Sequence, residues 1–216
     1  MASRSRPHSL TILVTGFGPF PGAPFNPTRP LVARLARLRR PALADVKIIP
    51  HIFPTSYAAV ARDLPDLIAK YKPRALLMFG LAARTKSLRI ETRARNALAL
   101  LPDVSGRSLR RNSILPGGPA ILNLPFKTRS LLTAAQNVGL PVILSRDAGR
   151  YLCNYLCWRV AEESRKDEGP RLAAFVHVPA ISRNVRPLTK RHRLTLDDLA
   201  RAGSGVLLAL AAAARR

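Results

Sequence analysis

Apolar positions along the chain follow two alternating rhythms. Short runs rich in β-branched and large aliphatic residues read as strands: Leu10 to Val14, Val46 to Phe53, Ala75 to Phe79 and Leu172 to Val178. Between them apolar residues recur at helical spacing. Leu31, Val32, Leu35 and Leu38 do so within Arg29 to Arg39, and Ala59, Val60, Leu64, Leu67 and Ile68 do so after a Thr55 or Ser56 cap. Strand, helix, strand, helix, strand is the order of an α/β sandwich. Ser87 to Arg93 alternates as a strand would, with Leu88 and Ile90 on one face and Glu91 on the other. Leu98 to Pro125 is punctuated by Pro and Gly and predicts a long loop or small irregular subdomain, the kind of segment that walls a site. Lys127 to Val138 predicts a helix, Pro141 to Leu144 a short buried strand, and Tyr151 to Glu163 another helix. Thr195 caps the last helix, with Asp197 and Asp198 complementing its dipole; Gly203 and Gly205 allow a bend or close packing.

Composition narrows the class without naming an activity. The 216 residues suggest one domain, and 47% hydrophobic residues exclude a wholly disordered chain. Lys and Arg number 36 against 12 Asp and Glu, a formal charge of +24. Such a field attracts nucleic acid, anionic lipid or acidic ligands, but the basic residues are spread along the chain, at Arg37 to Arg40, Arg84 to Arg95, Arg107 to Arg111 and Arg183 to Arg193. No basic zipper, zinc-finger spacing or aromatic RNA-binding signature accompanies them. Residues 1–8 are expected to be disordered. The opening apolar segment is too short and too broken for a secretory signal, and GVLLALAAAA is too short to cross a bilayer. A soluble, cytoplasmic protein is expected. Cys153 and Cys157 lie four apart in a helical pattern, poorly oriented for a disulfide, which fits a reducing compartment.

The candidate chemistry centres on Ile143 to Cys157. The apolar run stops at Ser145, a polar turn through Gly149 follows, and then a helical pattern begins with Cys153 in its first turns. A thiol there meets unpaired backbone N–H groups and the positive end of the helix dipole. Free cysteine titrates near ~8.5, and such placement lowers that by one to several units. Strand, turn, cysteine, helix is therefore a way to build a nucleophile, although a cysteine taken alone reads as small core packing. Glu91, flanked by Arg89, Arg93 and Arg95, reads alone as a structural ion pair. His177, near the end of an apolar run, reads alone as a satisfied core residue or as a group at the sheet's carboxyl edge. Together they supply the parts of a cysteine hydrolase: thiolate, imidazole, and a third group that orients the imidazole.

A dinucleotide loop and a metal site carry less weight. Gly16 and Gly18 follow the first strand, but Gly22 is misplaced, Pro19 and Pro21 intervene and no acid sits at ribose distance, so no dinucleotide loop is predicted. Phe17, Phe20 and Phe25 on that loop suit a flat small ligand or plug the sheet end. Cys153, Cys157 and His177 fall short of a four-ligand metal site. No metal or cofactor is expected.

Four ordered segments resemble the pyroglutamyl peptidase I (pyrrolidone-carboxylate peptidase) family of cysteine peptidases. These are VTGFGPFPGAPFNPT from Val14 to Thr28, GLAARTKSLRIETRARN from Gly80 to Asn96, SRDAGRYLCN from Ser145 to Asn154 and FVHVP from Phe175 to Pro179. The resemblance implies a single three-layer α/β/α domain over residues 1–216 around a mixed, mostly parallel sheet. It implies a Cys153–His177–Glu91 triad, the backbone N–H of Cys153 as an oxyanion donor, and Phe17 and Phe20 holding the lactam of an N-terminal pyroglutamate. Pyroglutamyl peptides are the implied partners; a homo-oligomer is open, no membrane is involved, and nucleic acid is not expected although the charge permits it. The chain departs from the family pattern in three places: Leu81 stands for Gln, Thr92 for Arg, and the pair Leu100 and Leu101 where an oxyanion arginine falls. Arg84, Arg89 or Arg150 could substitute for that arginine. The alternative is a catalytically weakened or inactive relative that binds an acidic partner or nucleic acid through its basic surface.

Overall fold

The protein is described by a computed structural model that covers residues 10–20, 22–126, 128–136, 140–181 and 194–216. The N-terminal stretch and the Arg183 to Arg193 run lie outside the described residues. In chain order the strands are β1 (Leu10–Phe17), β2 (Val46–Phe53), β3 (Ala75–Leu81), β4 (Leu88–Glu91), β5 (Arg93–Arg95), β6 (Ile121–Asn123), β7 (Val142–Ser145) and β8 (Leu172–Val178). The helices are α1 (Thr28–Ala36), α2 (Tyr57–Tyr71), α3 (Thr128–Gln136), α4 (Leu152–Glu163) and α5 (Leu196–Ala214).

Six strands form one sheet in the order β2-β1-β3-β8-β4-β7, and β5 pairs with β6 in a two-stranded antiparallel sheet. All pairings of the large sheet are parallel except β4 with β8. Helices α1, α3 and α5 cover one face and α2 and α4 the other, which makes the expected three-layer α/β/α sandwich. Period-two alternation assigns the central strands to two cores. Ile12, Val14, Leu77, Phe79, Val176 and Val178 face α1, α3 and α5. Leu13, Phe17, Leu76, Met78, Ala173 and Phe175 face α2 and α4. On the second face the alternation places Gly80, His177, Arg89 and Glu91 where apolar residues would otherwise stand. The strand order reverses between β1 and β3, the place where open α/β sheets leave a crevice beyond their carboxyl ends.

Local sequence explains most boundaries. Thr195 accepts from the Asp198 N–H and the Asp198 carboxylate accepts from the Thr195 N–H, a capping box that starts α5. Gly205 serves close packing: a Cβ there would lie 2.6 Å from the Ala134 carbonyl oxygen of α3. Ser56 is the N-cap residue of α2, but its side chain does not cap the helix. The Asp103 carboxylate, from the long connection, accepts the Tyr57 N–H at 3.1 Å instead, while Thr55 Oγ1 donates to the Gly18 carbonyl.

Two strand expectations need correction. The segment before the cysteine turn is not a buried strand. β7 is the sheet edge, with Val142 buried but Ile143 and Leu144 49% and 45% exposed. The alternating segment after Gly80 is two strands, because at Thr92 the chain leaves β4: its N–H and hydroxyl both bond the Ser145 carbonyl, and β5 then pairs with β6.

Candidate active site

Cys153 is the second residue of α4, after the N-cap Tyr151, and no side chain caps that helix start. The turn from β7 into α4 is itself fixed. Asp147 Oδ1 accepts the Gly149 N–H at 2.9 Å, Gly149 adopts a φ of +84° that favours glycine, and Asp147 also pairs with Arg95. Asn154, fully buried, locks the first turn to β5. Its Oδ1 accepts the Arg95 N–H at 2.8 Å, and its Nδ2 donates to the carbonyls of Arg95 (2.8 Å) and Ala97 (3.0 Å).

The thiol of Cys153 hangs over β3. A Cβ at Gly80 would lie 2.7 Å from Cys153 Sγ and 2.7 Å from the Phe175 ring, so only glycine leaves room there. Gly80 is the register partner of His177, which puts the imidazole beside the same space. His177 Nδ1 lies 2.8 Å from Glu91 Oε1, and the ring is within hydrogen-bonding reach of Cys153. Burial by itself would lower the His177 pKa. The Cys153 charge and hydrogen bond, followed by the Glu91 hydrogen bond and charge, overcome it and raise the pKa to about 9. Glu91 is buried, with a side-chain exposure of 0%. The sequence-predicted thiol, imidazole and carboxylate thus come together from α4, β8 and β4.

A cavity of about 180 Å³ opens on this group, lined among others by Phe17, Phe20, Leu81, Tyr151, Cys153 and His177. The end of β1 is held rigidly at its wall. Thr28 Oγ1 accepts the Phe17 N–H and donates to the Phe17 carbonyl, both at 3.0 Å, and Asn26 Nδ2 donates to the Gly18 carbonyl at 3.0 Å. Both predicted phenylalanines therefore face the thiol's cavity.

A family description corresponding to pyroglutamyl peptidase matches residues 10–214. The chain belongs to the pyroglutamyl peptidase family. It is therefore a hydrolase of the cysteine peptidase class. The pyrrolidone-carboxylate peptidase of Streptococcus suis is 31% identical over 206 residues, covering 94% of this chain and 92% of that one. That of Pyrococcus furiosus is 28% identical over 177 residues, 82% and 84% of the two chains. The crystal structure of pyroglutamyl peptidase I from Bacillus amyloliquefaciens superposes with a TM-score of 0.81 at 27% identity, covering 94% of this chain and 97% of that one.

The departures from the family pattern have structural counterparts. Leu81 lines the cavity, and Thr92 takes part in the strand break. Leu100 and Leu101 are 64% and 57% exposed. Among the described residues lining the cavity there is no arginine. Arg84 and Arg150 are exposed, and Arg89 turns to Ser145 and Asp147, so none of the three suggested substitutes lines it. Cys157 is a free thiol, buried one turn below Cys153; burial, then the charges of Cys153 and Glu91, push its pKa well up and keep it protonated. Sequence reasoning passed over the steric role of Gly80 and the lock made by Asn154. A glycine ending a fully apolar strand was the available signal for the first.

Among the described residues no helix is long and apolar enough to cross a membrane, and no cluster of His, Cys, Asp and Glu could hold a metal.

Proposed function

We propose that the protein removes N-terminal pyroglutamate from peptides, with Cys153 as nucleophile, His177 as general acid and base, and Glu91 as the group that orients the imidazole. The observation that carries this reading is the hydrogen-bonded His177–Glu91 pair meeting the Cys153 thiol at a cavity walled by Phe17 and Phe20. The lactam ring stacks within the aromatic slot. Having no charged amine, it loses little on leaving water, whereas an ordinary ammonium terminus would be left unpaired there.

The Cys153 thiolate attacks the pyroglutamyl carbonyl and forms a tetrahedral oxyanion. The first-turn N–H of Cys153 faces that oxygen, and one such donor contributes about 3 kcal/mol in the transition state. With its pKa near 9, His177 carries a proton at neutral pH and gives it to the departing amine as the C–N bond breaks. A thioester remains. The now neutral imidazole takes a proton from water, which attacks the thioester and releases pyroglutamate. Glu91 keeps Nδ1 engaged throughout, so the other ring nitrogen faces the reacting atoms.

A fluorogenic pyroglutamyl amide tests the reading. Wild-type protein should release the fluorophore, iodoacetamide should stop it, and Cys153→Ala should reduce turnover to background. Unchanged turnover in Cys153→Ala would refute the assignment. The lack of an arginine among the described residues lining the cavity and the +24 charge favour one second reading, a relative of weakened activity that binds polyanions. Tight DNA binding that falls steeply with salt, in a protein inert toward the amide, would establish that reading instead.

A further inference from the structure

We propose that Arg89 is a positioning residue of this site: its guanidinium clamps the turn leading to Cys153, and its charge limits how firmly the Glu91–His177 pair keeps a proton. The inference rests on the reading of Cys153, His177 and Glu91 as the catalytic group.

Arg89 and His177 are direct register partners across the antiparallel β4–β8 seam, and Glu91 stands two residues along β4 on the same face. Arg89 Nε lies 3.5 Å from Glu91 Oε1, the oxygen that His177 Nδ1 meets at 2.8 Å. The longer contact is electrostatic, and among the described residues neither Arg89 Nε nor Glu91 Oε2 has a hydrogen-bond partner although both are buried. What holds the guanidinium in place is its other end. Arg89 Nη2 donates to Ser145 Oγ at 2.6 Å and to the Asp147 carbonyl at 2.9 Å. Ser145 Oγ in turn accepts the Asp147 N–H at 3.2 Å, so the chain between β7 and α4 folds around one arginine.

Two separable effects follow. As a clamp, the terminal Nη2 bonds both acceptors at a reach one bond longer than that of a lysine ammonium, so a lysine keeps the charge but loosens the turn. As a charge, it shares the Glu91 Oε1 oxygen with the imidazole from the register position opposite His177, where like charges oppose one another once His177 is protonated. Among the described residues, the other titratable groups in electrostatic reach are Cys153 and Cys157 of α4, with Tyr57 and Tyr151 facing Cys153. None of these brings a second positive charge to the imidazole.

The test reads the two effects independently in the full-length chain. NMR titration of histidine imidazoles, with the His177 signal assigned by its loss in His177→Ala, needs no substrate and holds whether or not pyroglutamate is released. Arg89→Gln should raise the His177 midpoint by about one unit, because a positive charge has gone. Arg89→Lys should leave it within ~0.3 unit of wild type, because the charge remains. If the Gln variant does not fold, Arg89→Met replaces it. On the pyroglutamyl amide, Arg89→Lys and Ser145→Ala should each lower kcat/KM about tenfold through a looser cysteine turn. A His177 midpoint that is unmoved or lower in the charge-removing variant overturns the proposal, as does full kcat/KM in both clamp variants. Loss of amide hydrolysis in wild type, with the titration behaving as expected, would instead count against the catalytic reading alone.

Discussion

Placing a methyl group at Gly80 should disable the site while leaving the fold intact. The added Cβ would sit 2.7 Å from Cys153 Sγ and 2.7 Å from Phe175 Cζ, against an ordinary carbon contact of about 3.5–4.0 Å. Either sulfur or ring must therefore move by roughly 1 Å. Phe175 is fully buried and stacks edge-on against His177 at 4.9 Å between centroids, so its displacement carries the imidazole with it. The thiol is the other way out, and moving it opens the distance to the scissile carbonyl. A misplacement of ~1 Å costs on the order of 10²-fold in rate. Overpacking of this kind destabilises by about 1–3 kcal/mol, which for a chain of this size lowers the melting temperature by roughly 2–12 °C. The assay pairs initial rates on a pyroglutamyl amide with a thermal melt of Gly80→Ala. A cooperative melt with a ~100-fold lower kcat/KM is expected. A folded variant within twofold of wild type would show that thiol and ring yield freely, and the steric account of Gly80 would be wrong.

Three further outcomes follow from the geometry. Thr28→Val keeps the shape of the side chain but removes both hydrogen bonds to Phe17, so KM for the amide should rise several-fold while kcat changes less; equal losses in both would contradict a binding role. Asn154→Ala leaves the half-buried Arg95 N–H and the Ala97 carbonyl without partners, while the Arg95 carbonyl keeps the Ala97 N–H, and should cost about 2–4 kcal/mol by urea unfolding; a loss under ~0.5 kcal/mol would rule out the lock. His177 is raised from 6.5 to about 9, so the stability it contributes is fully present below about pH 6.5 and lost as pH climbs through about 9. Unfolding free energies measured across that window should decline, and the decline should flatten in Glu91→Gln; a flat wild-type profile would contradict the raised value.

The fold was legible because its central strands are apolar on both faces and separated by helical periods. β2 and β8 have the boundaries read from sequence, and β1 and β3 extend further at their carboxyl ends. His177 stood out as a polar residue near the end of an apolar run, and Glu91 as an acid flanked by arginines in a chain with twelve acids. Cys153 depended on recognising where a helix starts. Periodicity says nothing, however, about how many neighbours a strand has. The run from Pro141 to Leu144 looked buried, yet β7 is an edge that exposes Ile143 and Leu144. Long-range partners were equally hidden: no local pattern tells that Asp103 caps α2, that β5 meets β6, or that Arg89 reaches Ser145. The steric demand at Gly80 belongs to that group too, because it exists only once α4 has docked.

The antiparallel seam within the large sheet has a consequence for access. Running β4 against β8 sets Glu91 opposite Phe175, one step deeper into the sheet than His177 at the rim. The carboxylate has no solvent exposure of its own, whereas the imidazole borders the cavity. The histidine therefore stands between the buried acid and the cavity.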